Sequence, residues 1–134
     1  MKHVLVIDDE PAIRRALKRV LERAGHKVRV AADGALGLES LSTQMADVVI
    51  TDIIMPKVNG VDAINVIVSK FPEVRIVAIS GGGNFGAPQY QPSAIKTEAY
   101  LMAAKLAGAH AVLIKPFKTN DILQAIATAT GESP

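Results

Sequence analysis

The chain has 134 residues, enough for one domain, and 49% of them are hydrophobic against 4% aromatic, so Val, Ile, Leu and Ala must build the core. A formal charge of +2 is too slight an excess to argue for direct nucleic-acid or anionic-membrane binding. The absence of cysteine excludes disulfides and thiolate chemistry, and with no signal-peptide pattern or membrane-length apolar run a cytoplasmic location is expected.

Strand and helix patterns alternate along the chain. Val4-Leu5-Val6-Ile7 is a continuous apolar run, the signature of a strand buried on both faces. Pro11 suits the first turn of a helix, and Ile13, Ala16, Leu17, Val20, Leu21 and Ala24 follow at helical spacing until Gly25 stops it. The same helix carries Arg14, Arg15, Lys18, Arg19 and Arg23, a run whose ordinary reading is a solvated face and whose functional reading is a docking surface for a partner protein. Lys27 to Ala31 form a second strand, and Asp33 can cap a helix reaching about Leu41. Asp47 to Thr51 form a third strand. A loop holding Pro56 and Gly60 leads to a helix from Val61 to Lys70.

Val74 to Ile79 form a fourth strand, followed by the glycine-rich stretch Ser80-Gly81-Gly82-Gly83-Asn84-Phe85-Gly86 and a loop to Pro92. Ser93 can cap a helix with Ile95, Ala99, Met102, Ala103 and Leu106 on one face. His110 to Ile114 form a fifth strand, and Thr119 caps a last helix with Ile122, Leu123 and Ile126 inward. Five strands alternating with five helices predict a flavodoxin-like, doubly wound α/β sandwich with a parallel sheet of order 2-1-3-4-5. Residues 1–130 form the domain and 131–134 a tail.

In such a sheet, ligands bind beyond the carboxyl ends of the strands. Strand one ends in Asp8 and Asp9, with Glu10 next; strand three ends in Asp52, strand four in Ser80 and strand five in Lys115. Singly, these are ordinary caps, turn residues and solvated charges. Together they are complementary. Clustered carboxylates without His or Cys call for a hard cation such as Mg²⁺, and a lysine and a hydroxyl beside them suit phosphoryl oxygens. These are the parts needed for phosphoryl transfer onto a carboxylate.

The motifs VLVIDDEP, DVVITDIIMPKVNG and GAHAVLIKPF, in this order and at these strand ends, resemble the receiver domain of two-component response regulators of the chemotaxis-regulator type. The likeness runs from about Lys2 to Ala129. It implies Asp52 as phosphoacceptor, taking a phosphoryl group from a histidine kinase or a histidine phosphotransfer protein. It implies a Mg²⁺ ion held by Asp8, Asp9, Asp52 and the backbone carbonyl of Ile54, directly or through water. Ser80 matches the hydroxyl that swings toward the phosphoryl group, and Lys115 matches the lysine that pairs with it, often before a cis proline, here Pro116. Phosphorylation would then switch the face made by strand four, helix four and strand five for a downstream protein target. The resemblance implies a signalling phosphoacceptor that assists only its own phosphorylation and dephosphorylation, not an enzyme.

Three features depart from the family pattern. Val112 stands where Tyr or Phe is usual. The loop over residues 81–92 exceeds the roughly 2–6 residues usual between strand and helix, and it carries Phe85 and Tyr90 as a candidate partner surface. The chain ends just past the receiver, so a single-domain regulator or phosphorelay intermediate is expected, with a receiver excised from a longer protein as the other reading.

Two other functions are weaker. A Mg²⁺-dependent phosphohydrolase working through an aspartyl phosphate would place an acid two residues after the nucleophile, where this chain has Ile54. A nucleotide- or flavin-binding protein could use Gly81, Gly83 and Gly86, which fit G-x-G-x-x-G. That fingerprint belongs in the first strand–helix turn with an acid about twenty residues on, whereas here it follows strand four and position 106 is Leu.

Overall fold

The computed structural model describes residues 1–53, 60–80, 102–115 and 117–131. Strands β1 (His3–Ile7), β2 (Lys27–Ala31), β3 (Val48–Asp52), β4 (Arg75–Ser80) and β5 (Ala111–Ile114) form one parallel sheet in the order β2-β1-β3-β4-β5. The helices are α1 (Pro11–Arg23), α2 (Gly34–Thr43), α3 (Gly60–Lys70), α4, of which residues 102–107 are described, and α5 (Thr119–Thr130). The expected doubly wound α/β sandwich is the observed one.

The continuous apolar runs are explained by the two layers. Leu5 and Ile7, Val49, and Ile76 and Ala78 join one buried cluster with Leu41, Ile64, Ile67 and Ala104 from α2, α3 and α4. Their strand neighbours Val4 and Val6, Val48 and Ile50, and Val77 and Ile79 face the other side, with Leu17 and Leu21 of α1 and Ile122 and Ile126 of α5. Successive strand residues point to opposite faces, so a sheet covered twice needs apolar residues at every position.

Local signals set the helix ends. Pro11 opens α1, and Gly25 at φ 96° ends it, a left-handed conformation that a side chain would strain. Asp33 caps α2 by accepting the Leu36 N–H at 2.9 Å. Gly37 lets α2 press onto β1, because a Cβ there would run into the Ile7 side chain.

Several expected details differ. Asp47 and His110 stand just before β3 and β5 rather than opening them. The Asp47 carboxylate accepts the His3 N–H at 2.8 Å, and the His110 ring accepts the Ile76 N–H at 3.0 Å, so each side chain caps its neighbouring strand. Lys118, not Thr119, is the cap residue of α5, and its N–H is held by the Asp121 carboxylate at 2.9 Å. On α1, Ala16 and Ala24 are exposed while Leu17 and Leu21 carry the buried stripe.

The phase of α4 is the main correction. Met102 and Leu106, expected inward, are 60% and 82% exposed, whereas Ala104 is fully buried and Ala107 packs on the same cluster. Small residues let a helix lie close to a sheet, and an alanine-rich segment offers more than one apolar face to choose from. Ile95 and Ala99 of that expected face, the cap Ser93 and the loop over 81–92 lie outside the described residues. Among the described residues, no helix is long and apolar enough to cross a membrane.

Candidate phosphorylation site

The site begins with the turn after β1. Asp8 N–H extends the sheet by donating to the Ala31 carbonyl at 3.1 Å. Its side chain turns back, and Oδ1 accepts the Glu10 N–H at 2.9 Å. Arg14, one turn into α1, donates to the Asp8 carbonyl at 2.7 Å. These bonds fix the acidic turn from both sides and leave Asp8 Oδ2 facing the sheet edge.

Asp52 ends β3 beside it, 4% exposed, with the Ile53 N–H held by the Ile79 carbonyl across β4 at 3.0 Å. Lys115 arrives just past the end of β5 and is 7% exposed. Its ammonium lies 3.1 Å from Asp8 Oδ2, 3.2 Å from Glu10 Oε1 and 3.3 Å from Asp52 Oδ2. The contacts to Glu10 and Asp52 have hydrogen-bond geometry. The Asp8 contact is a buried ion pair whose angles depart from good hydrogen-bond geometry, so Asp8 Oδ2 is left without a well-aligned donor.

One ammonium among three carboxylates leaves the cluster negative. Burial raises the Asp8 pKa above the ordinary carboxylate value, against the opposing pull of the Glu10 N–H and the Lys115 charge. Burial by itself would lower the Lys115 pKa, but the Asp52 and Asp8 carboxylates outweigh it and the net shift is upward. Lys115 is therefore a fixed cation, while burial works against ionisation of Asp8.

The structure brings three expected residues together: Asp8, Asp52 and Lys115. It also adds Glu10, whose carboxylate lies with those of Asp8 and Asp52 within 4.8 Å of one another. The sequence offered only a weak signal for this, a third acid directly after an acidic pair. Asp9 is exposed and stands outside that group. Ser80 ends β4, in register with Ile114, which places its backbone at the same sheet edge. Val112 pairs in register with Ala78 and packs, half-buried, on the α2–α3–α4 side of the core. Ile54, with its carbonyl, and Pro116 lie outside the described residues.

The donor set fits a hard divalent cation. A buried carboxylate oxygen without a well-aligned donor, beside a second buried carboxylate and with no His or Cys, is the chemistry such an ion uses. A buried carboxylate, flanking acids and a lysine in contact with it form a set suited to phosphoryl transfer.

Known proteins resemble this chain over most of its length. A family model described as the response regulator receiver domain matches residues 4–127. The chain is 31% identical to the chemotaxis protein CheY of Thermotoga maritima over 126 residues, covering 93% of this chain and 94% of that protein. It is also 31% identical to the DNA-binding transcriptional regulator NtrC of Rhizobium meliloti, but there it spans only 24% of the relative's length. A receiver domain protein from Clostridium thermocellum superposes with a TM-score of 0.79 at 31% identity, covering 98% of this chain and 95% of that one. The receiver domain of NtrX from Brucella abortus gives 0.81 at 27% identity, covering 97% and 99%.

Proposed function

We infer the function from a family assignment: the chain belongs to the response regulator receiver domain family, the signalling modules of two-component systems. Its role is to accept a phosphoryl group on Asp52. The observation that carries this residue choice is the contact between Lys115 and a nearly buried Asp52, flanked by Asp8.

An Asp52 carboxylate oxygen attacks the phosphorus of a phosphohistidine on a kinase or phosphotransfer protein. The P–N bond breaks, its electron pair leaves with the imidazole, and an acyl phosphate forms on Asp52. Lys115, held charged by its carboxylate neighbours, neutralises the incoming phosphoryl oxygens. Asp8 and Asp52 would hold Mg²⁺, with Asp9 from the solvent side and the Ile54 carbonyl completing the set on the strength of the motif. The bound ion would offset the negative charge that builds up during transfer.

Ser80 would move toward the new phosphoryl group, which adds about −1.5 to −2 charge to the edge of the sheet. The output face is then β4, α4 and β5. Met102, Leu106 and Ile114, all more than half exposed, supply the apolar surface that a downstream protein partner would cover. Such a role places the molecule in the cytoplasm, where kinase and target meet it.

The test is incubation with acetyl phosphate and Mg²⁺, read by intact mass. One added phosphoryl group is expected, absent in Asp52→Ala and absent when Mg²⁺ is withdrawn. An unmodified wild-type mass would remove the reading.

A further inference from the structure

We propose that Glu10 is a positioning residue for Lys115, holding the ammonium at the site when its two buried partners can no longer do so. The proposal rests on the reading of Asp52 as phosphoacceptor. Of the three carboxylates around the lysine, Asp8 and Asp52 have side chains 1% and 5% exposed, whereas Glu10 is 36% exposed and reaches in from the N-cap position just before α1. The three anions are therefore not equivalent. Conversion of Asp52 to an acyl phosphate removes its carboxylate charge and shifts negative charge outward onto the phosphoryl oxygens. A cation against Asp8 and Asp52 neutralises both as partners of the lysine. Either event strips Lys115 of its buried anions, and Glu10 is the remaining carboxylate among the described residues within hydrogen-bond reach of Nζ.

The backbone fits this role. The Glu10 N–H is tied to Asp8 Oδ1 at 2.9 Å, and Pro11 fixes the chain directly after it. The carboxylate thus starts from a rigid base, and its hydrogen bond to Lys115 bridges α1 to the end of β5. With Glu10 in place, the ammonium swings between neighbouring anions over a short path. Without it, the freed lysine can turn toward solvent.

Removing a negative charge beside an incoming phosphate should by itself speed phosphorylation, so the sign of the effect separates positioning from simple repulsion. The rate of acyl phosphate formation from acetyl phosphate is measured at saturating Mg²⁺ for wild type, Glu10→Gln, Glu10→Asp and Lys115→Ala, and for Glu10→Gln combined with Lys115→Ala. Glu10→Gln and the shortened Glu10→Asp are expected to be about threefold to tenfold slower than wild type, with no further slowing by Glu10→Gln once Lys115 is gone. An unchanged or faster Glu10→Gln, or the same slowing in the Lys115→Ala background, overturns the proposal.

A second readout is independent of turnover. With lysines labelled at the side chain, the magnetic resonance signal of the Lys115 ammonium should stay protected from solvent exchange on Mg²⁺ addition in wild type and lose that protection in Glu10→Gln. Equal protection in both overturns the proposal. Failure of wild type to take up a phosphoryl group would instead sink the Asp52 reading, and the exchange measurement would still decide the role of Glu10.

Discussion

At the scale of single residues, the site is built against its own stability. Asp8 is fully buried, its Oδ2 has no well-aligned donor, and its pKa is pushed upward by burial. Burial therefore makes ionisation of this side chain more costly than that of an exposed carboxylate, while the proposed chemistry needs the charged form. Asn is close in shape to the protonated acid. Asp8→Asn is expected to stabilise the protein at neutral pH by about 0.5–2 kcal/mol, the usual gain when a functional strain is released. The same change should abolish Mg²⁺-dependent phosphorylation. Urea denaturation at pH 7 and the acetyl phosphate assay check the two halves, and a destabilised Asp8→Asn protein would contradict this account of the cluster.

At the scale of elements, the opposite edge of the sheet is secured by side chains standing in for backbone partners. The Ile76 N–H donates to His110 Nδ1, while the His110 N–H donates to the Ile76 carbonyl at 2.8 Å, so one residue satisfies both groups of Ile76 at the start of the β4–β5 ladder. The ring can accept only while Nδ1 is unprotonated. Burial, and then the charge of Arg75, lower the His110 pKa below its ordinary value of 6.5. Because the folded state disfavours protonation, this contribution is complete above the unfolded pKa and is lost as pH falls from there through the lower folded pKa. His110→Leu should cost about 1 kcal/mol at pH 7.5, the value of one such bond. It should also lose less stability than wild type between pH 7 and pH 5. Parallel pH dependences in the two proteins would show that His110 does not titrate in this window.

At the scale of the whole molecule, the two-layered core presents rigid strand ends, and the signalling chemistry occupies one of the two sheet edges. A dication binding the folded cluster but not the unfolded chain must stabilise the whole domain. At ten times its dissociation constant, Mg²⁺ should add about 1.4 kcal/mol to the unfolding free energy. The gain should vanish in Asp52→Ala, in which one of the two buried carboxylates is gone. Denaturant midpoints with and without Mg²⁺ measure this, and an unmoved wild-type midpoint would remove the metal from the proposed site.

The sheet order and the layers were legible in the sequence, which also named most residues of the candidate site. Continuous, β-branched apolar runs such as Val4–Ile7, alternating with helical patterns, point to doubly covered strands, and right-handed crossovers leave few topologies. Because chemistry collects at strand ends, Asp8, Asp52, Ser80 and Lys115 could be named from their positions. Tertiary structure decided what local pattern leaves open. The phase of α4 turned on which small residue, Ala104, fits closest to the sheet, since apolar spacing allowed Met102 and Leu106 as well. Asp9 and Glu10, adjacent and both acidic, parted ways because the turn after β1 exposes one and aims the other at the lysine. The pairing of Glu10 with Lys115 joins residues 105 positions apart, and only the folded sheet, by bringing the start of α1 to the end of β5, puts those two charges in contact.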